Sequence, residues 1–334
     1  MAFTMPKLQQ EGGGLFWKKT TKRAVLIFFI GLLLNWFPFV KYNEEGSLVM
    51  KDFAHLRILG VLQRIALCYF FASVIIYYAK PAKAFIAGIL LLLLYWAMCL
   101  LWGDTADPYS LRGWFGTVID KAILGETHMY HGEGVAFDPE GLLSTLPAIT
   151  QVILGYLASD YILQKRKLSI TNTATQENNL YIIVANLFVV AAILVFTGFC
   201  WDMVFPINKK IWTSSFVIYT TGIGIMLLST LIYVLEIKGQ KGFWSRFFDV
   251  FGKNPLFIFV LSGVWVRLYG LVRITDGIKD GKPVVKGLGG WMYDHIFVPA
   301  LGNMNGSLAY AVFHIIIFWS IAWWLNKKKI YIKV

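Results

Sequence analysis

Charged residues are scarce in this sequence. Asp, Glu, Lys and Arg make up 15% of its 334 residues, whereas a soluble globular domain carries about 25%. The hydrophobic fraction is 57% and the aromatic fraction is 16%, so polar side chains cannot cover a water-facing surface. This deficit excludes an ordinary soluble domain and predicts a protein of the lipid bilayer.

Cysteine is also rare, and acidic residues are outnumbered. Cys68, Cys99 and Cys200 lie inside apolar segments or at their edges, without metal-binding spacing, and predict no disulfide framework. The chain has 31 basic and 19 acidic residues, a formal net charge of +12. In a membrane protein such an excess indicates basic cytoplasmic loops. We therefore expect no nucleic-acid partner.

Long apolar runs dominate what is present. A spanning helix needs about 20 mostly apolar residues. Eight stretches meet this length and predict an all-α, polytopic transmembrane helix bundle: 21–40, 57–79, 84–102, 141–163, 180–200, 213–235, 250–271 and 307–326. The seventh contains Pro255 near its start, where we expect the helix to break.

The distribution of Lys and Arg sets the expected orientation. One set of alternate loops is rich in these residues, at 18–23, 80–83, 165–167, 238–246 and 327–329. The positive-inside rule places these loops and both termini in the cytoplasm, although the lysines at 209–210 and 279–286 run against the bias. Asp138 and Glu140 then face the opposite side, the periplasm of a bacterial inner membrane. We expect one integral membrane domain, 1–334, with an outer loop at 103–140 and a cytoplasmic linker at 164–179.

The second span contains buried basic and polar residues. Arg57 and Arg64 are seven residues apart, so they share one face of a helix. Gln63 and Arg64 would lie about 10 Å inside the span. One interpretation is an anion or sugar site beside a cavity, and the other is a structural salt bridge between helices.

An acidic cluster precedes the fourth span. In "FDPEGLLSTLPAI", Asp138 fits a helix N-cap, Pro139 fits the first helical position and Glu140 suits the helix dipole. Helix capping therefore explains the order of these residues. Carboxylates beside a polar span can also bind a sugar or act as a base on an amine.

Two further segments carry candidate binding residues. "FPINKKIWTSSF" offers Asn208, Lys209, Trp212 and Ser214 as a grip for a polar ligand, or simply caps the next helix. "FGKNPLFIFVLS" presents Lys253 and Asn254 at a helix start, which suits a phosphate but lacks the full phosphate-loop pattern.

The histidines predict no metal site. His128 and His131 lie close together in the outer loop, but no third ligand is evident. His314 lies in the middle of a span, where a packed core histidine is the simpler interpretation.

Four segments together resemble a known family, the membrane acetyltransferases typified by heparan-α-glucosaminide N-acetyltransferase. They are "LRILGVLQRIALCYF", "FDPEGLLSTLPAI", "PINKKIWTSSFV" and "GKNPLFIFVLS", in the family's order. The resemblance implies a polytopic enzyme that moves an acetyl group from acetyl-CoA at the cytoplasmic face to the amine of a glucosamine unit on the far side. The expected partners are the bilayer and an amino-sugar or glycan acceptor, with a homodimer as one assembly.

On this basis we assign expected roles. Asp138, Glu140 and Arg64 would assist catalysis, and Lys253 and Asn254 would bind acetyl-CoA. The residues expected to bind substrate are Arg57, Gln63, Asn208, Lys209, Trp212 and Ser214.

One feature of the family has no counterpart here. Its catalytic histidine lies in a loop between two helices that precede the matching segments, and no such loop occurs in this sequence. We therefore expect a member that lacks its first two spans, and two outcomes stay open: a membrane acetyltransferase, and a chain that is inactive as it stands. The alternatives are a transporter of N-acetylglucosamine or a related amino sugar, and a non-catalytic membrane scaffold.

Overall fold

The computed structural model describes residues 1–43, 45–167, 173–279 and 282–332. It confirms the all-α polytopic helix bundle. The helices are α1 (Met5–Glu11), α2 (Gly13–Trp36), α3 (Val61–Trp102), α4 (Gly116–Leu124), α5 (Thr145–Lys167), α6 (Thr173–Asp202), α7 (Ser214–Ile232), α8 (Phe243–Lys253), α9 (Pro255–Leu271), α10 (Leu288–Met292) and α11 (Val298–Lys327).

Short elements complete the described part of the chain. Strands β1 (Val40–Tyr42) and β2 (Leu48–Met50) form one antiparallel hairpin, and β3 (Arg273–Lys279) and β4 (Lys282–Gly287) form another. There are 3₁₀ turns at Phe53–His55 and Glu126–His128, and π turns at Tyr233–Ile237 and Tyr293–Phe297.

Within the described residues, five helical stretches are long and apolar enough to cross a membrane. They are Val61–Trp102, Thr145–Lys167, Glu177–Asp202, Ser214–Ile237 and Leu288–Lys327. Helices α8 and α9 qualify together as a sixth, bent by 80° at their junction. The count of eight spans and the cytoplasmic termini stay predictions.

Helix α3 holds two of the predicted spans and reverses between them. Lys80 has a φ of 59°, and the helical geometry is interrupted there, just before Pro81. Cys68 contacts the Thr145 carbonyl, while the Gly88 carbonyl accepts a hydrogen bond from Thr150, five residues further along α5. In a straight helix, positions 68 and 88 would lie about 30 Å apart. The two halves therefore fold back against the same part of α5.

The expected break near Pro255 is confirmed. Helix α8 ends at Lys253 and α9 begins at Pro255, which occupies the first helical position. Asn254 lies between them with a fully buried side chain. Proline lacks the N–H that a continuous helix requires, so the chain bends here.

The predicted helix start at Asp138 is wrong. Helix α5 begins at Thr145, and residues 138–144 form irregular turns in which Gly141 N donates to the Asp138 carbonyl at 3.0 Å. The Asp138 side chain does not cap a helix because Arg57 binds it. Arg57 also lies outside the predicted helix, since α3 begins at Val61.

The chain divides into two compact units. The first comprises 1–35 and 53–240, and the second comprises 36–52 and 241–334. The single domain, the outer loop and the linker of the sequence analysis stay predictions. Residues 168–172 of the linker lie outside the described residues, while α5 and α6 extend into its two ends.

An aromatic core in the first unit positions the outer loop. Phe137, immediately before the acidic cluster, is fully buried and packs edge-on against Trp114, with ring centroids 5.7 Å apart. The Tyr95 hydroxyl donates to the Ile211 carbonyl at 2.5 Å, which ties α3 to the segment before α7. The buried residues of this core are Tyr95, Cys99, Trp114, Phe115, Phe137, Phe205 and Ile211. The core therefore fixes the chain on both sides of the candidate site.

Candidate functional site

Arg57 joins the two carboxylates of the acidic cluster. Its Nη2 atom donates to Asp138 Oδ1 at 2.5 Å and to Glu140 Oε2 at 2.6 Å. The Asp138 side chain is 0% exposed, against 26% for Arg57 and 19% for Glu140. Arg57 also stacks on the Tyr130 ring at 4.6 Å. One cation faces two anions, so this part of the site carries a net negative charge and can attract an ammonium group.

Two elements fix the backbone around Arg57. Asn35, near the end of α2, donates to the Arg57 carbonyl at 3.1 Å. On the outer loop, the His128 carbonyl accepts from Ile58 N at 3.1 Å, and His128 Nδ1 lies 2.7 Å from the Leu56 carbonyl. The segment before α3 is therefore held from both sides. His128 serves this structural contact.

Arg64 binds other residues of the same turn segment. Its Nη2 atom donates to the Pro139 carbonyl at 2.7 Å and to the Ser144 hydroxyl. The guanidinium carbon lies 4.9 Å from the centre of the Trp212 ring. Unlike Arg57, Arg64 is buried and its hydrogen bonds go to uncharged groups. Arg64 therefore forms no ion pair within the described residues, although the charges of Glu140 and Asp138 act on it.

Buried N–H donors where Arg64 meets Trp212 have no hydrogen-bond partner within the described residues: Arg64 Nε, Arg64 Nη1 and Trp212 Nε1. Gln63 Nε2 has none either, but the Gln63 amide lies against Gly31 and Gly60, and a substrate-binding role for Gln63 stays a prediction. Trp212 also has a φ of 53°, a backbone conformation that costs free energy in residues other than glycine. Buried polar groups are normally paired, and strained residues concentrate at functional sites. This donor set suits a carbonyl oxygen or an oxyanion.

Asp120, which the sequence analysis missed, supports the turn from α4. Its carboxylate is fully buried, and Oδ1 accepts from Leu142 N at 2.9 Å. Burial raises the pKa of Asp120 to about 6, with a contribution from Asp138, while the charge of Arg64 lowers it. In the sequence, the only indication of this residue is a single acidic side chain that follows Val118 and Ile119 in a short, mostly apolar segment.

Burial likewise raises the pKa of Asp138 above its ordinary value, and Glu140 adds to this shift. The hydrogen bond and charge of Arg57 offset part of the effect. The ion pair therefore compensates only partly for loss of water around the carboxylate.

The side chains of Asn208 and Ser214 are bonded within the protein. The Asn208 amide donates to the Tyr109 carbonyl at 3.3 Å and accepts from Lys210 N at 2.9 Å. The buried Ser214 hydroxyl donates to the Leu92 carbonyl at 2.8 Å. Lys209 is exposed. These contacts fix the turn that carries Trp212, and a substrate-binding role for the three residues stays a prediction.

The two predicted cofactor-binding residues belong to the second unit. Lys253 pairs with Asp249 at 2.5 Å. The Asn254 amide donates to the Ile330 carbonyl at 3.1 Å, and its oxygen accepts from Ile332 N at 2.8 Å. Asn254 therefore holds the C-terminal segment, whereas Lys253 can exchange its partner.

No group of three or more His, Cys, Asp or Glu side chains in the described ranges could hold a metal ion. His131 Nδ1 lies 3.0 Å from the Met129 carbonyl. The polar residues that the structure brings together are Arg57, Arg64, Asp120, Asp138, Glu140, Ser144 and Trp212.

Comparison with known proteins gives two relatives of one kind. The chain is 25% identical over 287 residues to the heparan-alpha-glucosaminide N-acetyltransferase of Homo sapiens, covering 72% of this chain and 41% of that protein. It is 29% identical over 170 residues to the Mus musculus protein of the same name, covering 47% and 24%. No protein-family model matches the chain. The chain spans less than half the length of these relatives, and the similarities support a family relationship with membrane acetyltransferases.

Proposed function

We propose that this chain transfers an acetyl group from acetyl-CoA to the amine of a glucosamine-type sugar, as an integral protein of a bacterial inner membrane. The family relationship supports the acetyltransferase class. The observation that carries the proposal is the Arg57–Asp138–Glu140 cluster, with two anions on one cation, beside a buried Arg64 whose hydrogen bonds go to uncharged groups of the same turn. These two environments match an amine and an acyl oxygen.

The negative cluster would hold the acceptor. A protonated sugar amine is attracted to Glu140, which is partly exposed, while Asp138 keeps Arg57 in place. Glu140 then takes a proton from the ammonium, leaving the nitrogen lone pair free to attack. The stacked pair of Arg57 and Tyr130 forms one wall beside this position.

The donor set would hold the acyl group. The amine nitrogen attacks the thioester carbonyl, and an amide forms as the carbon–sulfur bond breaks. The sulfur leaves with the electron pair and takes up the second proton that the nitrogen releases, which gives the free thiol of CoA. During attack, negative charge develops on the carbonyl oxygen. Arg64 and Trp212 supply buried N–H groups that would stabilise this charge in a site of low dielectric.

The phosphates of CoA are anions and bind to cations. Lys253 remains the candidate, because its partner Asp249 is exposed and can be exchanged for a phosphate. Asn254 is a poorer candidate, since both ends of its amide are already bonded. Assembly as a homodimer is part of the proposal and can be measured by light scattering in detergent.

The test is acetyl transfer by the chain in proteoliposomes supplied with radiolabelled acetyl-CoA and glucosamine. We expect labelled N-acetylglucosamine, with a strong loss in Asp138→Asn. Asp107→Asn is the matched control, because Asp107 is an exposed outer-loop aspartate that also accepts a backbone N–H. If no amino sugar receives the label, the proposed activity is refuted.

The 80° bend between α8 and α9 favours one alternative, a transporter of N-acetylglucosamine or a related amino sugar. Broken helices commonly line transport sites. Counterflow of labelled N-acetylglucosamine in the same vesicles, without acetyl-CoA, distinguishes the two functions. Counterflow without acetyl transfer would replace the enzyme by the transporter.

A further inference from the structure

The turn segment 138–144 carries the site, yet it has no regular secondary structure of its own. Within it, Gly141 N donates to the Asp138 carbonyl at 3.0 Å, and the Ser144 hydroxyl donates to the Gly141 carbonyl at 3.1 Å. Such short-range bonds are compatible with several conformations of a turn. The orientation of Asp138 and Glu140 therefore depends on contacts from outside the segment.

Arg64, from α3, supplies such contacts near both ends of the segment, at the Pro139 carbonyl and the Ser144 hydroxyl. Asp120, from α4, supplies one between them, through its bond of 2.9 Å from Leu142 N. The two anchors therefore come from different elements and bind different positions of the turn.

The packing of Gly141 shows how closely Asp120 approaches. A Cβ atom built on Gly141 would collide with Asp120 Oδ2. The φ of Gly141 is not in the positive region, so backbone conformation is not what requires glycine here. The carboxylate of Asp120 itself occupies the space that a side chain would need.

Burying the Asp120 carboxylate costs free energy, because it removes a charged group from water. Its side chain is fully buried. Within the described residues, Oδ1 accepts a hydrogen bond from Leu142 N, and Oδ2 accepts none. The charged groups that act on it are Asp138 and Arg64. Nearby on the outer loop, Lys121 pairs with the exposed Glu126 instead.

We infer that Asp120 is a positioning residue: it fixes the segment 138–144 so that Asp138 and Glu140 face Arg57 in the geometry that the reaction uses. Its catalytic consequence rests on the proposed function. Its effect on the turn does not. Nothing in the mechanism above brings Asp120 into contact with a substrate.

The first experiment measures hydrogen exchange of the peptide covering 137–146 in the full chain, in detergent. We expect protection in the unaltered protein and in Asp120→Asn, whose amide oxygen can still accept from Leu142. We expect loss of protection in Asp120→Ala. Asp107→Asn is the control and should change nothing in this peptide. Unchanged exchange in Asp120→Ala would overturn the inference.

The second experiment uses the collision at Gly141. Gly141→Ala should lower the unfolding temperature of the chain, and it should do so much less in an Asp120→Ala background, where the colliding atoms are absent. Gly155→Ala, at an open position in α5, controls for the added methyl group. Equal shifts of the unfolding temperature in both backgrounds would show that Asp120 is not packed against Gly141.

The third experiment is kinetic. Asp120→Ala should reduce kcat for acetyl transfer by about 10- to 100-fold, with a smaller change in KM, because misplaced groups lose transition-state contacts. Asp120→Asn should recover most of that rate and flatten the pH profile near pH 6. If no variant, including the unaltered chain, transfers acetyl groups, the proposed function fails while the exchange data still decide the role of Asp120.

Discussion

The Arg57 guanidinium donates to the buried Asp138 carboxylate at 2.5 Å, across 81 residues of sequence. Arg57 comes from the segment before α3, and Asp138 from the turn before α5. This bond therefore connects the segments that directly precede α3 and α5. It also orients Glu140, which shares the same guanidinium nitrogen.

Asp138→Asn should lower both stability and activity. The substitution removes the charge but preserves the shape, and Arg57 keeps Glu140 as a partner. We expect the free energy of unfolding to fall by about 1–3 kcal/mol, less than for a buried charge that is left without any partner. Thermal unfolding in detergent measures this. Glu140→Gln, at a more exposed position, should cost less, and the reverse order would contradict the geometry.

Arg64 and Trp212 should be energetically coupled. The guanidinium stacks on the ring at 4.9 Å in a buried setting, where a cation–π contact contributes about 0.5–2 kcal/mol. A double-mutant cycle with Arg64→Lys and Trp212→Leu should give a coupling energy of that size. Strictly additive losses in unfolding free energy would mean that the stack contributes nothing.

Asp120 should make stability depend on pH. Burial raises its pKa from 3.8 to about 6, so the folded chain binds this proton more tightly than the unfolded chain. The stabilisation is complete below pH 3.8 and is lost as pH rises through about 6, a change on the order of 3 kcal/mol. Asp120→Asn should remove this contribution and leave a smaller slope, because burial also raises the pKa of Asp138. Asp107→Asn should retain the full slope, and an unchanged slope in Asp120→Asn would assign it to another group.

Substitutions of the neighbouring residues Lys253 and Asn254 should have different effects, one on the binding of acetyl-CoA and the other on stability. Asn254→Ala leaves the Ile330 carbonyl and Ile332 N–H without their partner, so we expect a loss of about 1–3 kcal/mol in stability. Lys253→Gln should leave the unfolding temperature unchanged and raise KM for acetyl-CoA. Steady-state kinetics and a thermal shift on both variants test this. An unchanged KM in Lys253→Gln would remove Lys253 from the cofactor site.

Hydrophobicity alone was enough to predict the bundle, because about 20 apolar residues can hardly be anything but a span or a core helix. The break at Pro255 was equally local, since proline acts on its own backbone. Both features depend on neighbours in sequence, which a single chain displays directly.

The site itself depends on long-range contacts. Local rules made Asp138 an N-cap because they did not include Arg57, 81 residues away, which binds its side chain first. They likewise placed Arg57 on a helix face, although α3 begins four residues later. Asp120 escaped notice because its significance arises from Leu142 and Gly141, whose proximity only the folded chain reveals.

The reversal at Lys80 has a consequence for biogenesis. The two halves of α3 are joined without an intervening loop. We expect them to enter the bilayer as one helical hairpin with Lys80 and Lys83 at its apex. The positive-inside rule then predicts that this apex stays in the cytoplasm.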